Sequence, residues 1–321
     1  MELPYLKFYG LVEEPFSTVP SPRYVFLTEV HSTALEKTSY VVGARKGLAA
    51  VFGDTGTGKS SLARLLHQKF LDSEFISVLL TNPNYPTPNS LLRTIVQEFG
   101  TGRSDRSFKG LLDIFKGFLI EQALEQGKTV VLIIDEAQTM GFPQLELLRK
   151  LMNVESNSQK LLQVVLFAQD ELRTKLAHAR GRNLRSRIVL ASTLERLTAA
   201  QMADTLSFRW NVASGGHEHP FTPEALQTLW EHSGGVPREA TILADNALLL
   251  GFFGKQKQID RELIEKAAQD RLDGLGGKGR VHVKLGPLLW DEVIPAGRSS
   301  QARSAPLLQS ASTSIRSIAR S

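Results

Sequence analysis

Residues Gly53–Ser61 read GDTGTGKSS. An apolar run, GLAAVF (47–52), leads into them and a helical-looking run, LARLLHQKF (62–70), follows. The stretch up to Ser60 fits the spacing G-x-x-x-x-G-K-[ST] in full. Glycines at these positions let the backbone curl so that successive N–H groups point inward at an anion. The following helix adds the positive end of its dipole. Lys59 brings a full charge to the β- and γ-phosphates, and the Ser60 hydroxyl is a ligand for Mg²⁺. Gly53, Asp54, Thr55, Gly56, Thr57, Gly58, Lys59, Ser60 and Ser61 are therefore expected to cradle the phosphates of a nucleotide between a strand and a helix.

The pattern extends outward on both sides as strands alternating with helices. GLAAVFG reads as a buried strand, FISVLLT (75–81) as a second, TVVLIID (129–135) as a third, 161–167 as a fourth and 187–191 as a fifth. Helical patterns lie at 32–42, 60–71 and 108–126, and in SLLRTIVQEF with Asn89 as its expected N-cap. Strands separated by helices imply a mainly parallel sheet. The third strand delivers Asp135 and Glu136 to its carboxyl end, the edge where such sheets bind ligands. Asp135 is expected in the Mg²⁺ shell and Glu136 on the attacking water. Gln169, after the fourth strand, is placed either to sense the γ-phosphate and orient water or simply in a loop. Arg182, Arg185 and Arg187 precede the fifth strand. One of them is expected to reach the γ-phosphate of a neighbouring subunit; a solvated basic turn is the alternative. From Leu197 the pattern is helical only, at 198–212, 222–233, 237–253 and 259–272. Arg238, in GGVPREA, opens one of these helices and either closes on the phosphates or pairs with Glu239 or Glu231.

The chain has 321 residues, room for about two domains. Hydrophobic residues make up 42% and charged residues 22%, ordinary for a globular protein, and no apolar run is long enough to predict a membrane span. The N-terminus lacks the apolar core of a secretory signal. With no cysteine there can be no disulfide, thiolate metal site or cysteine nucleophile, which suits a cytoplasmic location. The net charge of +5 belongs to residues 274–321, which hold seven Lys/Arg and two acids; the preceding residues are formally neutral. A nucleic-acid site on the folded body must then be a local patch. Arg93, Arg103, Arg106 and Lys109, between the second and third strands, are the candidates, with ordinary surface charge as the alternative. The stretch from Arg173 to Arg187 has no acid, and it serves a subunit interface, DNA or both. The end of the chain is rich in Gly, Ser, Arg and Ala and is expected to be disordered. It contains one island, GPLLWDEVIP around Trp290, suited to docking a partner.

These elements in this order resemble an AAA+ ATPase, and more closely the ExeA-like branch. The resemblance covers residues 5–272 and is carried by FYGLVEEPFSTVPSPRYVFLTEVHSTAL, the phosphate loop, IIDEAQ, the Q-x-EL after the fourth strand, LRSRI and GGVPREA. It implies an N-terminal segment near the adenine (1–45), a P-loop AAA+ parallel sheet flanked by helices (46–196), a small all-α lid (197–273) and a disordered basic tail (274–321). It also implies Asp135 and Glu136 as Walker B, Gln169 as sensor 1, Arg187 as the arginine finger and Arg238 as sensor 2. Secretion-associated members carry a transmembrane segment and a cell-wall-binding domain after the ATPase, which this sequence lacks. Its shape is similar to the TniB and TnsC type of transposition regulator. The resemblance then implies an ATP- and Mg²⁺-dependent, cytoplasmic homo-oligomer, a ring or helical filament on double-stranded DNA. It would mark a target with a target-selection factor, recruit transposase, and disassemble on hydrolysis. A secretion or pilus-assembly ATPase acting on protein partners is the alternative, and a non-catalytic nucleotide switch a third reading.

Overall fold

Three strands of the chain are buried along their whole length: β1 (Leu48–Gly53), β3 (Thr129–Ile134) and β4 (Leu162–Ala168). With β2 (Phe75–Leu80) and β5 (Ile188–Leu194) they form a five-stranded sheet in the order β2-β3-β4-β1-β5, every pair parallel. These observations come from a computed structural model, which describes residues 3–19, 21–156 and 159–274. The basic tail and the Trp290 island lie outside the described residues.

Successive side chains of a strand point to opposite faces, and both faces here are apolar. Ala50, Phe52, Leu132, Ile134, Val164 and Leu166 pack against α4 (Pro88–Glu98), α5 (Phe108–Ile120), α6 (Phe142–Leu151) and α7 (Asp170–Ala177). Their neighbours Val51, Val131, Ile133, Val165 and Phe167 face α2 (Glu29–Gly43) and α3 (Lys59–Lys69). The strands therefore read as unbroken apolar runs because the sheet is a middle layer.

A second core, without strands, joins α9 (Ala199–Ser214), α10 (Pro223–Ser233), α11 (Pro237–Phe253) and α12 (Arg261–Gly274). Tyr5 and Leu6 of α1 (Pro4–Tyr9), with Leu11 and Phe16, are buried in this helical core rather than against the sheet. The stretch before the first strand thus divides, its first part on the helical group and α2 on the sheet. Among the described residues, no helix is long and apolar enough to cross a membrane.

Three local expectations are corrected. Asn89 does not cap α4. Thr87 does, accepting from Ser90 N at 3.1 Å while Ser90 Oγ accepts from Thr87 N at 3.2 Å. Pro88 fills the first helical position, where no N–H is required. Asn89 therefore falls inside the first turn, its Nδ2 3.5 Å from Arg106 O. The helix expected over 108–126 is regular only to Ile120 and ends in a π turn, Glu121–Glu125. The fifth strand runs on to Leu194 because Ser192 and Thr193 are tolerated on an edge strand that alternates between half-buried and exposed.

Candidate nucleotide-binding site

The phosphate loop leaves β1 at its carboxyl end and turns directly into α3. Gly58 makes that turn with φ +99°, and a Cβ there would lie 3.1 Å from His31 Nε2. Gly56, also at positive φ, lies where a Cβ would meet Val236 Cγ1 at 2.8 Å and Arg238 Cβ at 3.0 Å. The glycine thus lets the start of α11 approach the loop. Arg238 N donates to Gly56 O at 3.3 Å.

Thr55, Gly56, Gly58, Lys59, Ser60, Ser61, Glu136 and Arg238 line one cleft. The far wall is Ser17 to Val19, Ser21, Tyr24, Val25 and Arg209. Five elements meet there: the loop with the start of α3, the end of β3, the start of α11, the segment ahead of α2, and α9 through Arg209. Lys59 is buried, and its Nζ donates to the carbonyls of Gly53 (2.9 Å) and Asp54 (2.7 Å). Burial pulls its pKa down, while the carboxylates of Glu136, Asp135 and Asp54 oppose the shift. Asp135 is buried beneath the loop, and burial raises its pKa against the Ser60 hydroxyl and the Glu136 N–H. A serine hydroxyl beside a buried carboxylate is a hard oxygen set that fits Mg²⁺, which keeps waters and substrate phosphates as its other ligands. Among the described residues no group of three or more His, Cys, Asp or Glu could hold a metal by itself.

Gln169 lies beside this cleft. Its Oε1 accepts from Thr55 Oγ1 at 2.9 Å, and its Nε2 is 3.5 Å from Glu136 Oε2. Glu136 has left-handed backbone angles, φ 55° and ψ 34°. Gly53, Asp54 and Thr57 do not line the cleft: the Asp54 carboxylate takes two bonds from Arg196, at 3.1 and 3.0 Å, and Thr57 Oγ1 donates to Asp54 O at 2.8 Å.

Arg187 is elsewhere. It precedes β5, whose far end, Leu194, pairs with Gly53 of the loop. At ~3.3 Å per residue the separation is about 20 Å, so Arg187 does not reach this cleft. Its charged neighbours are Glu146 and Lys160. Arg182 and Arg185, in the short helix α8 (Arg182–Arg185), are exposed. Other bases of that stretch are engaged locally. Arg173 bonds Asp170 and Thr193 and lies 3.9 Å from the Phe52 ring centroid, and Lys175 Nζ donates to Met140 O at 2.8 Å. Arg93, Arg103 and Arg106 line a separate cleft with Asp105; Lys109 is exposed nearby and does not line it.

Sequence reasoning missed four residues around the nucleotide cleft. His31 supports the loop through Thr57 O at 3.1 Å; its only signal was its place within HSTAL. Arg196 holds Asp54. Arg209 holds the far wall, donating to Pro15 O at 2.9 Å and Ser17 O at 2.6 Å. Gln138, visible as the last letter of DEAQ, reaches Glu136.

The sequence matches the AAA domain family over residues 43–176. It is 36% identical over 276 residues to general secretion pathway protein A of Aeromonas hydrophila, an alignment covering 86% of this chain and 50% of that protein. The chain thus spans about half the length of this relative. Among solved structures, the fold is similar to the Aeropyrum pernix ORC1 protein in complex with DNA (TM-score 0.61, 15% identity, 84% of this chain and 71% of that one). It is also similar to CDC6P from Pyrobaculum aerophilum (TM-score 0.58, 14% identity, 86% and 88%). At such identities the likeness is one of fold. Residues 43–176 are an AAA domain, the chain is homologous to part of the secretion protein, and its five-stranded parallel sheet flanked by helices is the AAA+ P-loop fold.

Proposed function

We propose that this chain binds ATP with Mg²⁺ and hydrolyses it to ADP and phosphate, and that nucleotide state sets its assembly with further copies of itself. The observation that carries this reading is the convergence of Lys59, Ser60, Glu136 and Arg238 on one cleft, with Asp135 buried below. The loop amides and Lys59 bind the phosphates. Ser60 and Asp135 hold Mg²⁺, which offsets charge on the phosphate oxygens. Glu136 takes a proton from water as water attacks the γ-phosphorus and the bond to the ADP oxygen breaks, with Gln169 beside it. Arg238 closes from the helical side. Arg187, about 20 Å away, acts on the γ-phosphate of an adjacent subunit.

The downstream role we favour is a cytoplasmic regulator of DNA transposition. Copies with ATP bound assemble on double-stranded DNA, mark a target and recruit transposase, and hydrolysis releases them. Its support is the resemblance to TniB and TnsC proteins and the joint cleft of Arg93, Arg103 and Arg106, with Lys109 beside it. A few bases per subunit suffice, because an assembly repeats them. A second reading, an ATPase acting on protein partners in secretion, is favoured by the 36% identity to the secretion protein.

Nucleotide titration, turnover and DNA binding test these together. Lys59→Ala is expected to abolish ATP binding. Glu136→Gln is expected to keep binding and lose about 10²- to 10⁴-fold in turnover, accumulating on DNA; equal turnover in wild type and Glu136→Gln refutes the catalytic assignment. Salt-dependent, ATP-dependent DNA binding supports the first downstream role, and its absence the second.

A further inference from the structure

Gln138 lies two residues past Glu136, half-buried in the 3-10 turn Ala137–Thr139. Its side-chain amide is engaged at both ends. Nε2 donates to Glu136 Oε2, and Oε1 accepts from Gln169 N at 3.1 Å. The turn is also pinned from below, because Lys175 Nζ donates to the carbonyls of Gln138 (2.5 Å) and Met140 (2.8 Å). Glu136 has the left-handed backbone that non-glycine residues hold only when their surroundings enforce it. The carboxylate is therefore unevenly served. Oε2 faces the amide of Gln138, with Gln169 Nε2 at 3.5 Å, while Oε1 has no donor among the described residues. Glu136 itself lines the cleft.

We infer that Gln138 is a positioning residue for Glu136: anchored on the Gln169 backbone, its amide holds one carboxylate oxygen and leaves the other for the attacking water. The bridge joins the ends of β3 and β4, so the carboxylate is set by two adjacent strands rather than by its own rotamer. The requirement is for a neutral donor of this length. A methionine has the length without the donor. A glutamate keeps an acceptor for Gln169 N but sets an oxygen against Glu136.

This inference rests on the proposed role of Glu136, and the experiment separates the two. With the full chain, kcat and KM for ATP and the affinity for a fluorescent ATP analogue are measured for wild type, Glu136→Gln, Gln138→Met and the double variant. Gln138→Met is expected to lower kcat about 10- to 100-fold, with analogue affinity changed less than about 2-fold and no further loss in the Glu136→Gln background. Wild-type kcat in Gln138→Met, or an equal fold-loss in both backgrounds, overturns the inference while leaving Glu136 in place. Undiminished turnover in Glu136→Gln overturns the role of Glu136 and this inference with it. If Gln138→Met does not fold, Gln138→Glu must show the same split between kcat and affinity.

Discussion

His31 carries the argument at the scale of a single residue. It is buried under the phosphate loop between Thr28 Oγ1, 2.7 Å from Nδ1, and Thr57 O, 3.1 Å from Nε2. A carbonyl can only accept, so Nε2 carries a proton, and because burial disfavours the charged ring, Nδ1 is left to accept from the threonine hydroxyl. That is the neutral imidazole. Burial lowers its pKa from the usual 6.5, with the bond to Thr57 opposing. The unfolded chain therefore takes up a proton before the folded one as pH falls. The stabilisation is complete above 6.5 and is lost below it, down to the folded value, by at most ~1.4 kcal/mol per pH unit. His67, also lowered by burial, adds in the same direction. Urea unfolding at pH 7.5 and 5.5 should show a smaller acid loss for His31→Gln than for wild type, the difference isolating this ring.

Helix α4 depends on its first turn. Thr87 and Ser90 satisfy each other's backbone N–H, and Pro88 fixes the entering φ. Thr87→Ala removes one acceptor and should cost about 1 kcal/mol, with Thr87→Ser nearly neutral; the urea midpoint reads both. At the other end of the pair, the π turn after α5 leaves carbonyls that Arg45 collects. Its guanidinium bonds Ala123 O (3.4 Å), Gly127 O (2.5 Å), Gln159 Oε1 (2.8 Å) and Thr129 Oγ1 (3.2 Å). Arg45 thus ties the end of one helix to the start of β3, from a position far away in sequence.

Across the whole molecule, residues from three parts of the chain build the cleft. The N-terminal segment is anchored in the helical core by Tyr5, Leu6, Leu11 and Phe16, and its continuation from Ser17 to Val25 forms the far wall. Arg209 of α9 clamps that wall through Pro15 O and Ser17 O, and its guanidinium lies 5.4 Å from the Tyr24 ring centroid. Burial lowers the Arg209 pKa, opposed by Tyr24 and Glu14. Bonds from a charged donor contribute ~1.5–3 kcal/mol each. Arg209→Ala should therefore lower stability by about 3 kcal/mol and loosen the wall, raising the ATP dissociation constant about 10-fold. Thermal unfolding and calorimetric titration check the two halves separately.

The sequence by itself determined the phosphate loop, the acids ending the third strand, and the succession of strands and helices. Each of these is a pattern among neighbours: glycines and a lysine at fixed spacing, an apolar run ending in two carboxylates, a period of two or of 3.6. It also offered Gln169 and Arg238 as candidates for the phosphates, from their places after the fourth strand and at the start of a helix, with a loop residue and a local ion pair as the alternatives. Strand order was not legible, because β1, β3 and β4 are equally apolar and only packing ranks them. The Thr87 cap was missed because Asn89 looked equally suitable until Pro88 took the first helical position. Arg196 and Arg209 could not be read at all, and the contact of His31 could not be read from its place within HSTAL. Each reaches the site across many residues of chain, and nothing in their immediate neighbours records that contact. The tertiary structure decided these partners, because a buried donor or acceptor must find its complement wherever the fold brings one.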